Sequence, residues 1–153
     1  MREQQSAGKW SAPGLRPGNL GQKLEESRRV LVVDDDPISR GIVRDMLGER
    51  GFEVDGAENP QAAVEKVRRS RYCLLVLDIF LPGLDGRVLH GSIEKIAPDL
   101  AARTIFISHW SPTGAIAEYV AKRGIFVRKP LDADQLIGAV EAMLGAPSGC
   151  IPI

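Results

Sequence analysis

Three consecutive carboxylates, Asp34 to Asp36, follow the apolar run "VLVV" at residues 30–33. Two carboxylates about 4 Å apart repel each other by roughly 4 kcal/mol at an effective dielectric constant of about 20. A chain that places them side by side therefore needs a compensating charge, and a bound cation is the simplest candidate. Carboxylate oxygens are hard ligands of the kind that Mg²⁺ takes, with water molecules completing its octahedron.

Three more polar residues, Asp78, Ser108 and Lys129, come directly after or close behind later apolar runs. If these runs are parallel strands, their carboxyl ends meet at one edge of a sheet, where ligands bind in such folds. An acidic group, a hydroxyl and a lysine at that edge suit an anionic oxygen group, such as a phosphoryl, beside a divalent metal. We therefore expect Asp34 or Asp35, together with Asp78, to bind the metal.

The elements that must position these residues are visible as apolar runs alternating with helical patterns. Nearly continuous apolar runs are typical of strands whose sheet is covered by helices on both faces. The five runs are "VLVV" (30–33), "FEV" (52–54), "YCLLVL" (72–77), "TIFI" (104–107) and "IFV" (125–127). Strand–helix alternation repeated five times predicts an α/β, doubly wound domain with right-handed crossovers.

Apolar residues at helical spacing predict five helices between and after these strands. Their expected inward-facing residues are, in order, Ile38, Ile42, Val43, Met46 and Leu47; Ala62, Ala63 and Val67; Val88, Leu89, Ile93 and Ile96; Ile116, Tyr119 and Val120; and Leu136, Ile137, Val140, Met143 and Leu144. Asn59 before Pro60 reads as a helix cap, and Ser111 with Pro112 as the start of the fourth helix. We expect Asp36 to cap the first helix, Cys73 to be buried and His90 to lie on the surface.

Composition narrows the class of protein. Hydrophobic residues make up 44% of 153 residues, enough for one domain with a core. A formal net charge of zero gives no global case for binding nucleic acid or an anionic membrane. There is no apolar run long enough to span a bilayer and no apolar signal segment at the N-terminus. Two cysteines indicate no disulfide framework, so we expect a cytoplasmic protein without membrane insertion or direct contact with nucleic acid.

The balanced charge hides an asymmetry along the chain. Residues 1–29 carry six Lys and Arg against three Asp and Glu, whereas the remainder carries fourteen against seventeen. Residues 1–27 are rich in Gly, Pro, Ser and Gln and have no apolar period, which predicts a flexible N-terminal extension. We expect a single domain at 28–145 and a C-terminal tail at 146–153, too short for a DNA-binding or enzymatic output domain.

The fragments "VLVVDDDP", "VLDIFLPGLDG", "IFIS" and "VRKP", in this order, resemble the receiver domain of bacterial two-component response regulators, of the single-domain chemotaxis type. The resemblance covers about residues 29–145. It implies a flavodoxin-like sheet of strand order 2-1-3-4-5, with helices on both faces. It also implies Mg²⁺-dependent transfer of a phosphoryl group from a histidine kinase or a histidine phosphotransfer protein. The aspartyl phosphate would then switch a surface that binds a downstream protein, or pass the group onward in a phosphorelay.

The resemblance also implies a role for each matching residue. Asp78 would be the phosphoacceptor. Asp35 would bind Mg²⁺ directly and Asp34 mostly through water, with the backbone carbonyl of Phe80 as a further ligand. Ser108 would hydrogen-bond the phosphoryl group, Lys129 would pair with it, and Phe126 falls at the aromatic switch position of the fifth strand. A homodimer is compatible with the resemblance.

The chain departs from the family pattern in ways that keep two other functions open. Phe80, His109 and Trp110 are bulky where many relatives carry small or polar residues, and the approach to Lys129 is about two residues short. These departures fit a receiver-like interaction scaffold that is not phosphorylated. A Mg²⁺-dependent phosphohydrolase with an aspartyl nucleophile is the third alternative. Such enzymes typically require a second acidic residue two positions after the nucleophile, where this chain has Phe80.

Overall fold

The computed structural model describes residues 28–145, and the predicted extension and tail lie outside this range. Five strands of this part form one sheet in which every neighbouring pair is parallel, in the spatial order β2-β1-β3-β6-β7. These strands are β1 (Arg29–Val33), β2 (Glu53–Ala57), β3 (Leu74–Asp78), β6 (Thr104–Ser108) and β7 (Gly124–Arg128). Counting the strands of this sheet alone, the predicted order 2-1-3-4-5 is confirmed.

Two very short strands form an antiparallel pair immediately after β3. They are β4 (Phe80–Leu81) and β5 (Leu84–Asp85). Gly83 in the turn between them has a φ of 71°, a left-handed conformation that favours glycine. This small hairpin leads the chain from the end of β3 into the next helix, and the sequence patterns did not predict it.

Within residues 28–145, six helices connect and cover the strands of the main sheet. They are α1 (Pro37–Gly48), α2 (Pro60–Arg69), α3 (Gly86–Ile96), α4 (Pro98–Ala101), α5 (Gly114–Arg123) and α6 (Ala133–Leu144). The Asn59 side chain accepts a hydrogen bond from the Ala62 main chain and Pro60 opens α2, as predicted. Helix α5 begins after Thr113, slightly later than Ser111 and Pro112 suggested. Among residues 28–145, no helix has the length and apolar character needed to cross a membrane.

The sheet has an apolar core on each face because successive side chains of a strand point to opposite sides. One core lies between the sheet and helices α1 and α6, and it contains Val30, Val32 and the buried Cys73. The other lies beneath α2, α3, α4 and α5, and it contains Leu31 and Val33. Helices therefore cover both faces, and the buried position predicted for Cys73 is confirmed.

The predicted apolar stripe of α1 is partly wrong. Val43 and Leu47 are buried as expected, but Ile38 is 71% exposed and Ile42 is also exposed. Ser39 turns inward in the first turn instead, and its hydroxyl donates a hydrogen bond of 3.2 Å to Asp36. In α3, Val88 is likewise exposed although it was expected to face the core.

The prediction that His90 lies on the surface is also wrong, because its side chain is only 1% exposed. Its Nε2 donates a hydrogen bond of 3.0 Å to the carbonyl of Ala101, which has no proton to give. Its Nδ1 then accepts the hydroxyl proton of Tyr119 at 2.7 Å. The centroid of the His90 ring lies 5.2 Å from the centroid of the Phe106 ring. A histidine with both nitrogens satisfied can be buried at little cost.

Candidate functional site

Four polar side chains from separate segments meet at the carboxyl edge of the sheet, as the sequence predicted. Asp34 follows β1, Asp78 and Ser108 end β3 and β6, and Lys129 follows β7. All four are buried, and Lys129 is only 5% exposed. Charged side chains are almost never buried unless they are paired, so the arrangement must be held by the contacts among them.

The acidic residues form a compact group. One carboxylate oxygen from each of Asp34, Asp35 and Asp78 lies within 4.8 Å of the others. Asp34 and Asp78 are buried, whereas Asp35 is exposed to solvent. Three carboxylate oxygens this close together fit a hard divalent cation such as Mg²⁺.

Lys129 lies between two of these acids. Its ammonium nitrogen is 2.6 Å from Asp34 Oδ2, an ion pair, and it donates a hydrogen bond of 2.9 Å to Asp78 Oδ2. Burial alone would lower the pKa of Lys129, but its contacts with Asp34 and Asp78 outweigh burial and raise that pKa. Lys129 therefore stays charged. Its main-chain N–H donates to the carbonyl of Ser108, and a cis peptide bond joins it to Pro130.

The Asp78 carboxylate is held by two hydrogen bonds, one to each oxygen. Lys129 donates to Oδ2, and the main-chain N–H of Phe80 donates to Oδ1 at 2.9 Å. Burial raises the pKa of the Asp78 carboxyl above its ordinary value, although both hydrogen bonds oppose this rise. The carboxylate is thus fixed in direction and poorly hydrated, two properties that suit a nucleophile.

The loop that carries the three consecutive acids is fixed by its own hydrogen bonds. The Asp36 main chain donates to Asp34 Oδ1 at 3.0 Å, and the Asp36 side chain accepts from the Ile38 main chain at 3.0 Å. Asp36 therefore caps α1, as predicted. Arg40 donates a hydrogen bond of 2.6 Å to the carbonyl of Asp34. Sequence reasoning missed Arg40, and a long basic side chain one turn into the helix after an acidic loop would have been the signal.

Ser108 and two aromatic residues, Phe80 and Trp110, lie at or just after the ends of β6 and β3. Ser108 Oγ accepts a hydrogen bond of 3.0 Å from the main-chain N–H of Trp110. The hydroxyl proton of Ser108 is not used in this bond and is available to donate to another group. The rings of Phe80 and Trp110 meet edge to face, with centroids 6.2 Å apart. They are 41% and 66% exposed. The His109 side chain is exposed as well, and its carbonyl accepts from Arg128.

Phe126 lies in β7 beside Phe106 of β6 and is half-buried against the core beneath α2, α3, α4 and α5. Its role as a switch, like the carbonyl of Phe80 as a ligand, stays a prediction. The short approach to Lys129 has a structural counterpart, because α5 ends at Arg123 and β7 begins at Gly124. A Cβ at Gly124 would collide with the carbonyl of Thr104, so glycine permits this abrupt junction.

Comparison with known proteins agrees with this geometry. The family model described as "Response regulator receiver domain" matches residues 30–141. The chemotaxis protein CheY of Bacillus subtilis (strain 168) is 33% identical over 120 residues, covering 77% of this chain and 98% of that protein. The structure of response regulator protein TrrA from Thermotoga maritima, in complex with Mg(2+)-BeF, is 32% identical with a TM-score of 0.67. The match covers 76% of this chain and 99% of that one.

A further similar structure is that of a receiver domain dimer. The solution structure of the beryllofluoride-activated NtrC4 receiver domain dimer is 26% identical to this chain, with a TM-score of 0.69. The match covers 77% of this chain and 97% of that one.

Proposed function

This chain belongs to the family of response regulator receiver domains, and we propose that it accepts a phosphoryl group on Asp78. The donor would be the phosphohistidine of a histidine kinase or of a histidine phosphotransfer protein. The observation that carries this proposal is the buried ammonium of Lys129, 2.6 Å from Asp34 and 2.9 Å from Asp78. A cation in that position compensates both carboxylates before transfer and is free to contact a phosphoryl group afterwards.

The transfer is a displacement at phosphorus. A carboxylate oxygen of Asp78 attacks the phosphorus, a new O–P bond forms, and the N–P bond to the donor imidazole breaks. The imidazole keeps the electron pair of the broken bond. Attack by an anion on an anionic phosphoryl group is opposed by charge repulsion. Mg²⁺, held by Asp34, Asp35, Asp78 and the Phe80 carbonyl, would supply the charge that offsets this repulsion.

The chain's own residues orient the group. The hydrogen bonds from Lys129 and from the Phe80 main chain fix the Asp78 carboxylate, so little freedom is lost when it reacts. Once the phosphoryl group is in place, the Lys129 ammonium pairs with one of its oxygens. The Ser108 hydroxyl, whose oxygen already accepts from Trp110, donates to another. Both interactions strengthen as charge develops on those oxygens.

Through these contacts, phosphorylation would alter the surface of the domain. Lys129 and Ser108 stand at the ends of β7 and β6, which are neighbours in the sheet. Their movement toward the phosphoryl group would pull on both strands and on the half-buried Phe126 of β7. We expect the altered surface to bind a protein partner, or the phosphoryl group to be relayed onward. Self-association is a further possible readout, since the related NtrC4 receiver domain forms a dimer.

The decisive experiment incubates the protein with Mg²⁺ and acetyl phosphate, and separately with a phosphorylated histidine kinase. We expect one phosphoryl group per chain, located on Asp78 by mass spectrometry of peptides, and no label in Asp78→Asn. The absence of any adduct from either donor would favour an interaction scaffold. Continuous release of phosphate far in excess of the protein would favour a phosphohydrolase. Either outcome would contradict the proposed function.

A further inference from the structure

Arg40 contacts the acidic loop through the main chain of that loop, whereas Lys129 contacts carboxylate side chains. It lies on α1, and its guanidinium donates a hydrogen bond of 2.6 Å to the main-chain carbonyl of Asp34. That carbonyl belongs to the peptide group joining Asp34 to Asp35, the two consecutive acids of the metal group. Fixing this peptide group restricts the positions that the Asp35 side chain can take, because only rotation about the following backbone bond remains.

Gly56 provides the space that Arg40 occupies. It lies on β2, the edge strand of the sheet, paired with Val32 of β1. A Cβ at Gly56 would lie 3.1 Å from Arg40 Cδ and 3.4 Å from Arg40 Nε. The first distance is tighter than ordinary van der Waals contact and the second lies at its edge, as does the 3.4 Å distance to Arg44 Nη2. The Arg40 side chain therefore passes directly over the backbone of Gly56 on its way to Asp34.

The same strand also holds the loop through its main chain. The main-chain N–H of Asp34 donates a hydrogen bond of 3.1 Å to the carbonyl of Ala57. Asp34 is thus bonded at its N–H by the residue after Gly56 and at its carbonyl by Arg40. The two hydrogen bonds fix the backbone on both sides of the Asp34 Cα, which leaves the loop little freedom to turn.

We infer that Arg40, seated over Gly56, is a positioning residue that pre-orients Asp34 and Asp35 for the divalent cation. This inference rests on the proposed function, because it concerns the metal site that phosphorylation would use. Groups that orient metal ligands without touching the metal typically change metal affinity by about 10- to 100-fold when they are removed. Arg40 is such a group, since it acts on the ligands through a backbone carbonyl.

Arg40 could affect Mg²⁺ binding by orienting the ligands or by repelling the cation, and these two effects predict opposite changes in Mg²⁺ affinity when Arg40 is removed. If its positive charge mainly repels the metal, then Arg40→Met should bind Mg²⁺ more tightly. If its hydrogen bond orients the ligands, Arg40→Met should bind Mg²⁺ about tenfold more weakly. Gly56→Val distinguishes orientation from charge further, because it displaces the Arg40 side chain while leaving every charge in place. Its Cβ would also lie 3.4 Å from Arg44 Nη2, so a variant of Arg44 is needed as a control. Valine also suits a strand, so the fold should tolerate it.

The experiment measures the Mg²⁺ dissociation constant from Trp110 fluorescence in a Trp10→Phe background. We expect weaker binding by about tenfold in Arg40→Met and a similar loss in Gly56→Val. The double variant should lose little more than either single one, because both remove the same hydrogen bond. Arg40→Lys, which keeps the charge and a donor, should recover part of the affinity. Arg44→Met is the matched control, since Arg44 lies on the same helix but bonds the Val54 carbonyl instead.

A second measurement needs no metal. Without Mg²⁺, amide exchange of Asp36, whose N–H is bonded to Asp34 Oδ1, should speed up in Arg40→Met and Gly56→Val but not in Arg44→Met. Unchanged or tighter Mg²⁺ binding in Arg40→Met overturns the inference and leaves the proposed function intact. Equal loss in Arg44→Met overturns it too, since the effect would then be a general one of helix α1. If the parent protein binds no Mg²⁺, both the inference and the metal-dependent function fall.

Discussion

Lys129 and Asp78, 51 residues apart in the chain, share a buried hydrogen bond of 2.9 Å at the carboxyl edge of the sheet. The same ammonium is 2.6 Å from Asp34, so one buried cation serves two buried carboxylates. The site therefore carries excess negative charge that a second, divalent cation can relieve. This relationship determines what each substitution around the site should do.

Asp78→Asn should abolish phosphorylation without harming the fold. The amide has nearly the same shape as the carboxylate. It can accept only one of the two hydrogen bonds that Asp78 accepts, but it removes one of the like charges that crowd the site, and we expect that relief to offset the loss. We expect Asp78→Asn to melt no lower than the parent protein in the absence of Mg²⁺, as measured by thermal unfolding. Phosphoryl uptake at the normal rate in this variant would show that Asp78 is not the acceptor.

Asp35→Ala should remove most of the stabilisation that Mg²⁺ gives. Ligand that binds only the folded state stabilises it by about 2.7 kcal/mol at a concentration of about 100 times its dissociation constant. The measurement is the shift in melting temperature on adding Mg²⁺. Asp36→Asn is the matched control, because it removes a neighbouring charge but retains a good helix cap. An equal shift in Asp35→Ala and the parent would exclude Asp35 as a ligand.

Lys129→Ala should separate phosphorylation from its consequences. Removing one partner of a buried ion pair costs about 3–5 kcal/mol, so the variant should unfold more easily without Mg²⁺. Some phosphorylation should persist, since the metal ligands and Asp78 are intact. The spectral change or partner binding that follows phosphorylation should be lost. A full response in phosphorylated Lys129→Ala would contradict the coupling role.

The sequence predicted the positions of the site residues because parallel strands bring their carboxyl ends together whatever their spacing in the chain. Asp34, Asp78 and Lys129 could therefore be grouped from separate fragments. Spacing alone could not identify the interactions of His90, because its partners Tyr119 and Ala101 lie 29 and 11 residues away. Nor could it identify Arg40, whose role depends on the space left by a glycine in another strand.

The burial of His90 makes a prediction about acid stability. Burial lowers the pKa of His90 in the folded protein; Glu94 on its own helix opposes the shift, and Arg123 of α5, near Tyr119, contributes to it. The unfolded chain then binds a proton more readily, near pH 6.5. Stability should be complete above that pH and fall as pH drops through the folded pKa. Denaturant unfolding between pH 7.5 and about 5 should show a shallower fall in His90→Gln, whereas His109→Gln, at an exposed position, should behave like the parent.

The aspartyl phosphate should be long-lived because of Phe80 and Trp110. Hydrolysis requires a water molecule in line with the phosphorus, on the side opposite Asp78. Phe80 follows Asp78 by two residues and Trp110 follows Ser108 by two, and their rings meet edge to face 6.2 Å apart. Neither ring can orient water as a hydrogen-bonding carboxylate or amide would. Misplacing that water loses the positional advantage on which the reaction depends.

The test is the decay of phosphorylated protein after the donor is removed, in the parent and in Phe80→Asn combined with Trp110→Glu. A tenfold change in rate needs only about 1.4 kcal/mol, so we expect decay to be about tenfold faster in the double variant. Phe80→Leu combined with Trp110→Leu keeps apolar bulk at both positions and should decay slowly. If the polar pair decays no faster than the parent, the two rings do not guard the water path. Phe80 and Trp110, which are 41% and 66% exposed, would then form a contact surface for a protein partner.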